Sequence, residues 1–393
     1  MNCVSYRTGL TGILSPFFTE VYLGFTFSAV GDIMVHDSQL SANRDKASGR
    51  FHFHDSFRTI APLLSETDFT FGNLETTLPG DPTMFSGYPQ FGSPDELLEA
   101  ISESGFDILS TANNHSADKG KTGLERTITK IQETKILPIG TYRNSEDWES
   151  RRKDHLKAAG KKIFIYQYTY GTNGMPVAEP YIVRLMTEEN IRADIEFAKK
   201  NQSDCIILSF HYGSEYVLNP LRNQTDWVEF AFSEGADIVL GGHPHVLQKL
   251  EKRVQTDKYG IRKERLVFFS MGNFLSGQRK PNTDGGAVFQ FAFQWIGDPD
   301  PDENSWNLMP TRIFGIRYIP TWVYPNYGHS NKKFIILPAD EFHSLNFRED
   351  ILPEINKMSQ KDQIQRRSFY KATIQRLGVE YLATESLGRF ASK

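Results

Sequence analysis

Gly242-His243-Pro244-His245 sets two imidazoles two residues apart behind a Gly-Gly turn, a spacing with little use in packing. Asp32 with His36, Asn73 with Glu75, Asn114 with His115, and His211 each follow or end a short apolar run. Imidazole suits zinc, iron, nickel or copper, and carboxylate oxygen also admits manganese and magnesium. Brought together, these side chains would hold one or two divalent ions, which lie about 3.5 to 4 Å apart in two-metal hydrolases. Bound water would then yield a hydroxide able to attack phosphorus or a carbonyl carbon. Asn273, behind the turn at Gly272, adds an amide expected to face the site.

Taken singly, each group has a plain structural explanation. Gly31-Asp32 can open a loop, Asn73 and Glu75 can organise a turn, and Asn114 can cap a helix. His211 can be a hydrogen-bonded core histidine. Accumulation favours the site. Of 10 histidines, His36, His115, His211, His243 and His245 fall in these segments, with His52 and His54 in a loop beside them.

The elements that must position these groups read as strands alternating with helices. Apolar or alternating runs predict strands near 23–30, 68–71, 106–111, 163–168, 204–210, 237–240 and 266–269. Periodic stretches predict helices near 118–133, 188–199 and 224–233. Ser93-Pro94-Asp95-Glu96 reads as a helix start, with Ser as the cap and Pro at the first helical position. Residues 41–54 and 76–92 read as loops, the second long and on the surface. This alternation argues for a layered α/β fold, whose ligands gather outside the carboxyl ends of the strands. After Gly286 the pattern changes to strands without long helices, then an exposed loop over 296–309 and a helical tail over about 363–390. Phe369, Ile374, Leu377 and Tyr381 are its docking candidates.

Composition bounds the function. With 44 basic and 48 acidic residues the net charge is -4, which leaves no broad basic field for nucleic acid. No stretch reaches the roughly 18 to 20 apolar residues of a membrane helix. Residues 9–31 come closest, interrupted by Pro16, Glu20 and the polar residues around Thr26. The chain is therefore expected to be soluble as given, with cell-envelope association if an export segment precedes it. Cys3 and Cys205, one in a terminus and one in a buried run, are expected to remain unpaired and do not report the redox compartment.

The motifs Gly31-Asp32-Ile33-Met34, Asn73-Leu74-Glu75, Ala112 to Gly120, His211 to Tyr216, Gly242 to Gln248 and Ser270 to Phe274 resemble the CapA/PgsA family. Its members are associated with bacterial capsule and poly-gamma-glutamate synthesis. The resemblance runs in order through about residues 24–280, and Tyr170-Gly171-Thr172-Asn173-Gly174 fits its middle section. That family is similar in fold to calcineurin-like metallophosphoesterases. The resemblance thus implies a four-layer metallophosphatase-like sandwich, two packed mixed sheets flanked by helices, with a helical C-terminal tail. It implies metal ligands at Asp32, Asn73 or Glu75, His211, His243 and His245. It also implies catalytic roles for Asn114 and His115, with His115 the acid or phosphate contact. Two positions depart from the metallophosphoesterase pattern. Met34 stands where a histidine is usual, and Asn73 where an aspartate bridges the metals; His36 and Glu75 are the candidates to compensate. Asn273, Glu215 and Arg279 are the substrate-binding candidates, with Lys280 beside Arg279.

These readings divide the chain into an extension over 1–22, the main domain over 23–285, further strands over 286–340 and a tail over 341–393. The further strands are expected to complete a second sheet or form a β-rich annex. The expected cofactor is one or two ions of manganese, zinc, iron or magnesium. The expected role is metal-dependent synthesis, export or attachment of an anionic polymer such as poly-gamma-glutamate, alongside a membrane synthase complex. The alternatives are a phosphoesterase acting on an unrelated phosphoester and a non-catalytic polymer-binding or assembly factor.

Overall fold

The computed structural model describes residues 23–296, 310–326, 333–339, 355–356, 358–384 and 387. The N-terminal extension, Cys3, most of the loop expected over 296–309 and the end of the tail lie outside the described residues. In chain order the strands are β1 Leu23–Ile33, β2 Phe69–Leu74, β3 Ile108–Ser110, β4 Leu137–Ile139, β5 Thr141–Tyr142 and β6 Leu156–Ala158. They continue with β7 Lys161–Thr169, β8 Ile182–Val183, β9 Cys205–His211, β10 Ile238–Gly242 and β11 Leu250–Thr256. The last are β12 Arg262–Phe268, β13 Asn273–Leu275, β14 Gly285–Trp295, β15 Thr311–Pro325 and β16 Phe334–Pro338.

Two large mixed sheets result. The first has the order β16-β15-β14-β1-β2-β3-β4, with β13 also paired to β1, and the second β11-β12-β10-β9-β7-β6. Side-chain alternation decides which residues meet between them. Phe25, Phe27, Phe289 and Phe291 from the first sheet share one core with Ile163, Ile165, Ile207, Leu240 and Phe268 from the second. The opposite faces pack on helices. Val30, Ile33 and Leu109 join Leu97, Leu98 and Ile101 of the helix Asp95–Glu103. Phe164, Leu208 and Val239 join Ile191 and Ile195 of Glu188–Lys200 and Val228 and Phe232 of Arg222–Glu234. Burial on both faces explains why these strands read as nearly unbroken apolar runs. The four-layer sandwich implied by the resemblance is the architecture observed.

Strands β14 to β16 join the sheet that holds β1. β14 pairs antiparallel to β1, from Leu23 opposite Trp295 to Ala29 opposite Phe289, and so extends the first sheet. The alternating phenylalanines of β1 and β14 make this pairing favourable, with Phe25 and Phe293 stacked at 5.4 Å. The helix start at Ser93 also differs. The helix begins at Asp95 without a side-chain cap, and Ser93 Oγ instead lies 2.9 Å from Thr76 Oγ1. That bond helps tie down residues 76–92, where Thr76, Thr77, Leu78 and Phe91 are buried rather than on the surface. The 41–54 segment is not loop throughout, since it holds the end of the helix Asp37–Asn43 and the start of His54–Phe57. The tail is helical over Gln360–Leu377, with Phe369 and Leu377 buried and Ile374 and Tyr381 partly so. Among the described residues no helix is long and apolar enough to cross a membrane.

Candidate metal centre

Parallel pairing brings the functional side chains to one edge. In the first sheet Asp32 lies opposite Asn73 and Asn273, and Asn73 opposite Ser110. In the second sheet His211 lies opposite Gly242 and Thr169. The loops behind β3 and β10 then contribute Asn114-His115 and His243-Pro244-His245. His243 and His245 both adopt left-handed backbone, with φ of 94° and 57°. Such conformations are costly for non-glycine residues and tend to be held in place at functional sites. Gly242 is required for close approach: a Cβ there would stand 2.9 Å from Asp32 Oδ1 and 3.5 Å from His211 Nδ1.

Two groups of donors emerge, Asp32–Glu75–His245 and Glu75–His211–His243, each with ligand atoms within 4.8 Å of one another and all buried. Glu75 is common to both. Its Oε1 lies 3.4 Å from His211 Nε2 and 3.8 Å from His245 Nε2. Asp32 Oδ2 lies 3.0 Å from His245 Nδ1 and accepts the His243 backbone N–H at 3.3 Å. Asn114 Oδ1 lies 2.8 Å from His211 Nε2.

The electrostatics of the cluster are compatible with a cation. Burial opposes ionisation of Asp32, but the bond to His245 and the charge on that ring outweigh it and hold the carboxyl at about 2. Burial likewise opposes a charge on His245, yet Glu75 and Asp32 push its pKa up to about 9. Burial, then the neighbouring Asp32, pushes Glu75 well above the carboxylate range. Both Glu75 oxygens and His243 Nδ1 are buried with no hydrogen-bond partner. Buried polar atoms are seldom left so, and each orphan normally marks an ion, a water or a catalytic role. Nitrogen and carboxylate donors converging on that unfilled demand fit a divalent cation.

His115 is held differently. Its Nδ1 lies 2.7 Å from Asp118 Oδ2, its backbone N–H donates to Asn113 Oδ1 at 3.1 Å, and its ring meets the Phe91 ring edge-on at 4.7 Å. The ring stands close enough for its charge to act on Glu75 and His211.

Other expected residues lie apart from this cluster. His36 belongs to neither donor group, because the chain leaves β1 at Ile33 and His36 becomes the cap of the helix Asp37–Asn43. Its Nδ1 accepts the Gly277 N–H at 3.1 Å, and burial drives its pKa down to about 4. Asn73 lies in the cluster, but directs its amide nitrogen to Asp32 Oδ1 at 2.8 Å. Asn273 is fully buried and donates to Gln278 Oε1 and Thr283 O, bracing the following loop, while its Oδ1 makes no hydrogen bond. Glu215 is exposed, with its charge felt at His211, His243 and His245. The Arg279 guanidinium lies 5.3 Å from the centre of the Phe334 ring.

Sequence reasoning missed four contributors. Asp118 orients His115, and its position three residues later was the available signal. Gln167 interrupts an apolar strand at the inward-facing parity of Ile163 and Ile165, a local mark of a polar contact in the core. Asn113 supports the 114–115 backbone, while Tyr170, half exposed, packs 4.8 Å from the His243 ring.

Comparison with known proteins agrees with this arrangement. The family described as bacterial capsule synthesis protein PGA_cap matches residues 26–278. The chain is 26% identical over 278 residues to the capsule biosynthesis protein CapA of Bacillus anthracis, covering 68% of this chain and 63% of that protein. It is 25% identical over 280 residues to the PGA biosynthesis protein CapA of Bacillus subtilis (strain 168), covering 67% and 66%. The matches thus span just under two thirds of these relatives' length. Among solved structures, the NAD nucleotidase NadN of Haemophilus influenzae is similar at 12% identity and a TM-score of 0.48, covering 90% of this chain and 61% of that one. A likeness of that size does not bear on activity. With the family match running through both sheets and every segment of the donor cluster, the chain belongs to the bacterial capsule synthesis protein PGA_cap family.

Proposed function

We propose that this chain serves the synthesis, export or attachment of a capsular anionic polymer such as poly-gamma-glutamate, through a metal-dependent, phosphoesterase-like hydrolytic centre. The observation that carries this reading is Glu75, a fully buried carboxyl whose oxygens make no hydrogen bond and which is shared by two histidine-bearing donor groups. Family membership and the names of the two Bacillus relatives support the polymer.

Asp32, Glu75, His211, His243 and His245 would hold the metal, with Asn114 Oδ1 beside them. When bound, a divalent ion supplies a hydroxide at neutral pH and positive charge against the oxygen on which charge develops. The protein's own groups do the rest. Asp118 fixes the His115 ring through Nδ1, leaving Nε2 to hand a proton to a departing oxygen. Phe91 walls that ring on one side, and Tyr170 flanks His211 and His243 at the entrance.

The test is a screen of metal-loaded protein against phosphomonoesters, phosphodiesters and poly-gamma-glutamate, with His115→Ala as the comparison. Turnover that falls about 100- to 10,000-fold in the variant, at unchanged metal content, supports hydrolysis. No turnover with any substrate, alongside saturable polymer binding, replaces the hydrolase with a binding or assembly factor. Metal content unchanged in His243→Ala/His245→Ala overturns the metal assignment.

A further inference from the structure

Asn73 sits between the two donor groups, and its orientation is forced by the backbone. Gln167, reaching from the second sheet, accepts the Ala112 N–H on Oε1 at 2.7 Å, so its Nε2 must be the donor to Asn73 Oδ1 at 3.3 Å. Asn113 accepts the His115 N–H on its oxygen and donates Nδ2 to Leu74 O at 2.9 Å. That same Nδ2 donates to Asn73 Oδ1 at 3.3 Å, and the Ser110 hydroxyl donates to it at 3.1 Å. Three donors therefore claim the Asn73 oxygen. Its NH2 points the other way, 2.8 Å from Asp32 Oδ1 and 3.4 Å from His211 Nδ1. A flipped amide would oppose NH2 to two NH2 groups and set its oxygen against a carboxylate.

We propose that Asn73 acts as a locked N–H donor rather than a metal ligand, and limits the centre to one tightly held divalent ion. This rests on the metal-centre reading above. Charge argues the same way. Among the described residues, the two donor groups contain two carboxylates, Asp32 and Glu75, and three imidazoles. Two carboxylates balance one divalent ion; a second would have to draw its balance from outside the donor groups, from hydroxide or the exposed Glu215, and charge left unbalanced in a buried site is costly. The N–H of Asn73 adds positive potential between the groups, leaving Glu75 as the carboxylate they share. Gln167 is by the same argument a positioning residue. It acts through Asn73 and couples the second sheet to the first.

The experiment is Mn2+ titration of the chelator-treated full chain by calorimetry, with elemental analysis after desalting. The wild type is expected to bind one ion per chain, as is Asn73→Ala at saturating Mn2+. Asn73→Asp keeps an oxygen for the three donors and turns a second towards Asp32 and His211, so it is expected to bind two. Two ions in the wild type, one in a folded Asn73→Asp, or none in Asn73→Ala overturns the proposal. The wild-type count decides it even if the aspartate variant does not fold. No ion in the wild type removes the metal centre itself, a different failure from a count of two.

Discussion

Acidification of the metal-free protein probes the cradle directly. His36, His211 and His243 are held neutral chiefly by burial, with pKa values pushed down to about 4, 3 and 2. In the unfolded chain each would titrate near its ordinary 6.5. As pH falls below that value the unfolded chain takes up protons that the folded one refuses, so stability falls. Between pH about 7 and about 5 this costs about 2 kcal/mol per histidine, or about 6 kcal/mol for the three. His245 has the opposite sign. Its pKa, pushed up to about 9, gives stability that is fully present below 6.5 and lost as pH rises through 9. Over the same interval it returns only about 1 kcal/mol. Asp32, held at about 2, contributes stability that persists above 3.8 and does not change here. Glu75, held well above the carboxylate range, also favours the folded state as pH falls, so the net loss is on the order of a few kcal/mol, a sizeable part of the stability of many domains. Urea titrations of chelator-treated protein at the two pH values measure it. His243→Gln should recover about 2 kcal/mol of the loss. Stability at pH about 5 within about 1 kcal/mol of that at pH about 7 would refute the claim that these rings are buried neutral.

Two further outcomes follow from single buried groups. Glu75→Gln removes a carboxyl that burial pushes well above the carboxylate range and whose oxygens make no hydrogen bond, so thermal melts of the metal-free protein should show only a small loss, from the His211 and His245 rings beside it. The wild type should gain about 2.7 kcal/mol at Mn2+ near 100 times its Kd, and the variant should gain almost nothing; an equal gain removes Glu75 from the ligand set. Outside the centre, Asp194 is buried between Arg184 at 2.6 Å, the Tyr168 hydroxyl at 2.8 Å and Arg152 at 3.4 Å. Asp194→Ala should lose about 3 to 5 kcal/mol in urea unfolding with Mn2+ stoichiometry unchanged, whereas a lost ion would tie this pair to the centre.

Much of the site was legible because β/α chains put polar residues just behind apolar runs. Asp32, Glu75, His211, His243 and His245 stood out on that ground, and the structure joins them. What periodicity does not encode is where a chain turns after its strand. His36 lies only four residues beyond Asp32, yet β1 ends at Ile33 and the helix starting at Asp37 makes His36 its cap and commits it to Gln39 and Gly277. Nor does it encode amide orientation. Asn73 reads as a ligand by position and becomes a donor only through Gln167, 94 residues away, and Asn113. The pairing of β14 with β1 was hidden for a related reason: alternation fixes which face of a strand is buried, not which strand lies beside it.

The centre is also a seam. Asp32, Asn73 and Glu75 come from the first sheet, while His211, His243 and His245 come from the second. The hydrogen bonds from His243 N–H to Asp32 and from Gln167 to Asn73 cross between them. Donor spacing is therefore set by how the two inner faces pack, at contacts such as Phe268 against Phe289, 4.6 Å apart. Interiors packed at crystal-like density transmit small shifts rather than absorb them. A core substitution between the sheets thus bears on the donor geometry even far from the crevice. Donor geometry in this fold is a property of the sandwich as much as of the donor residues.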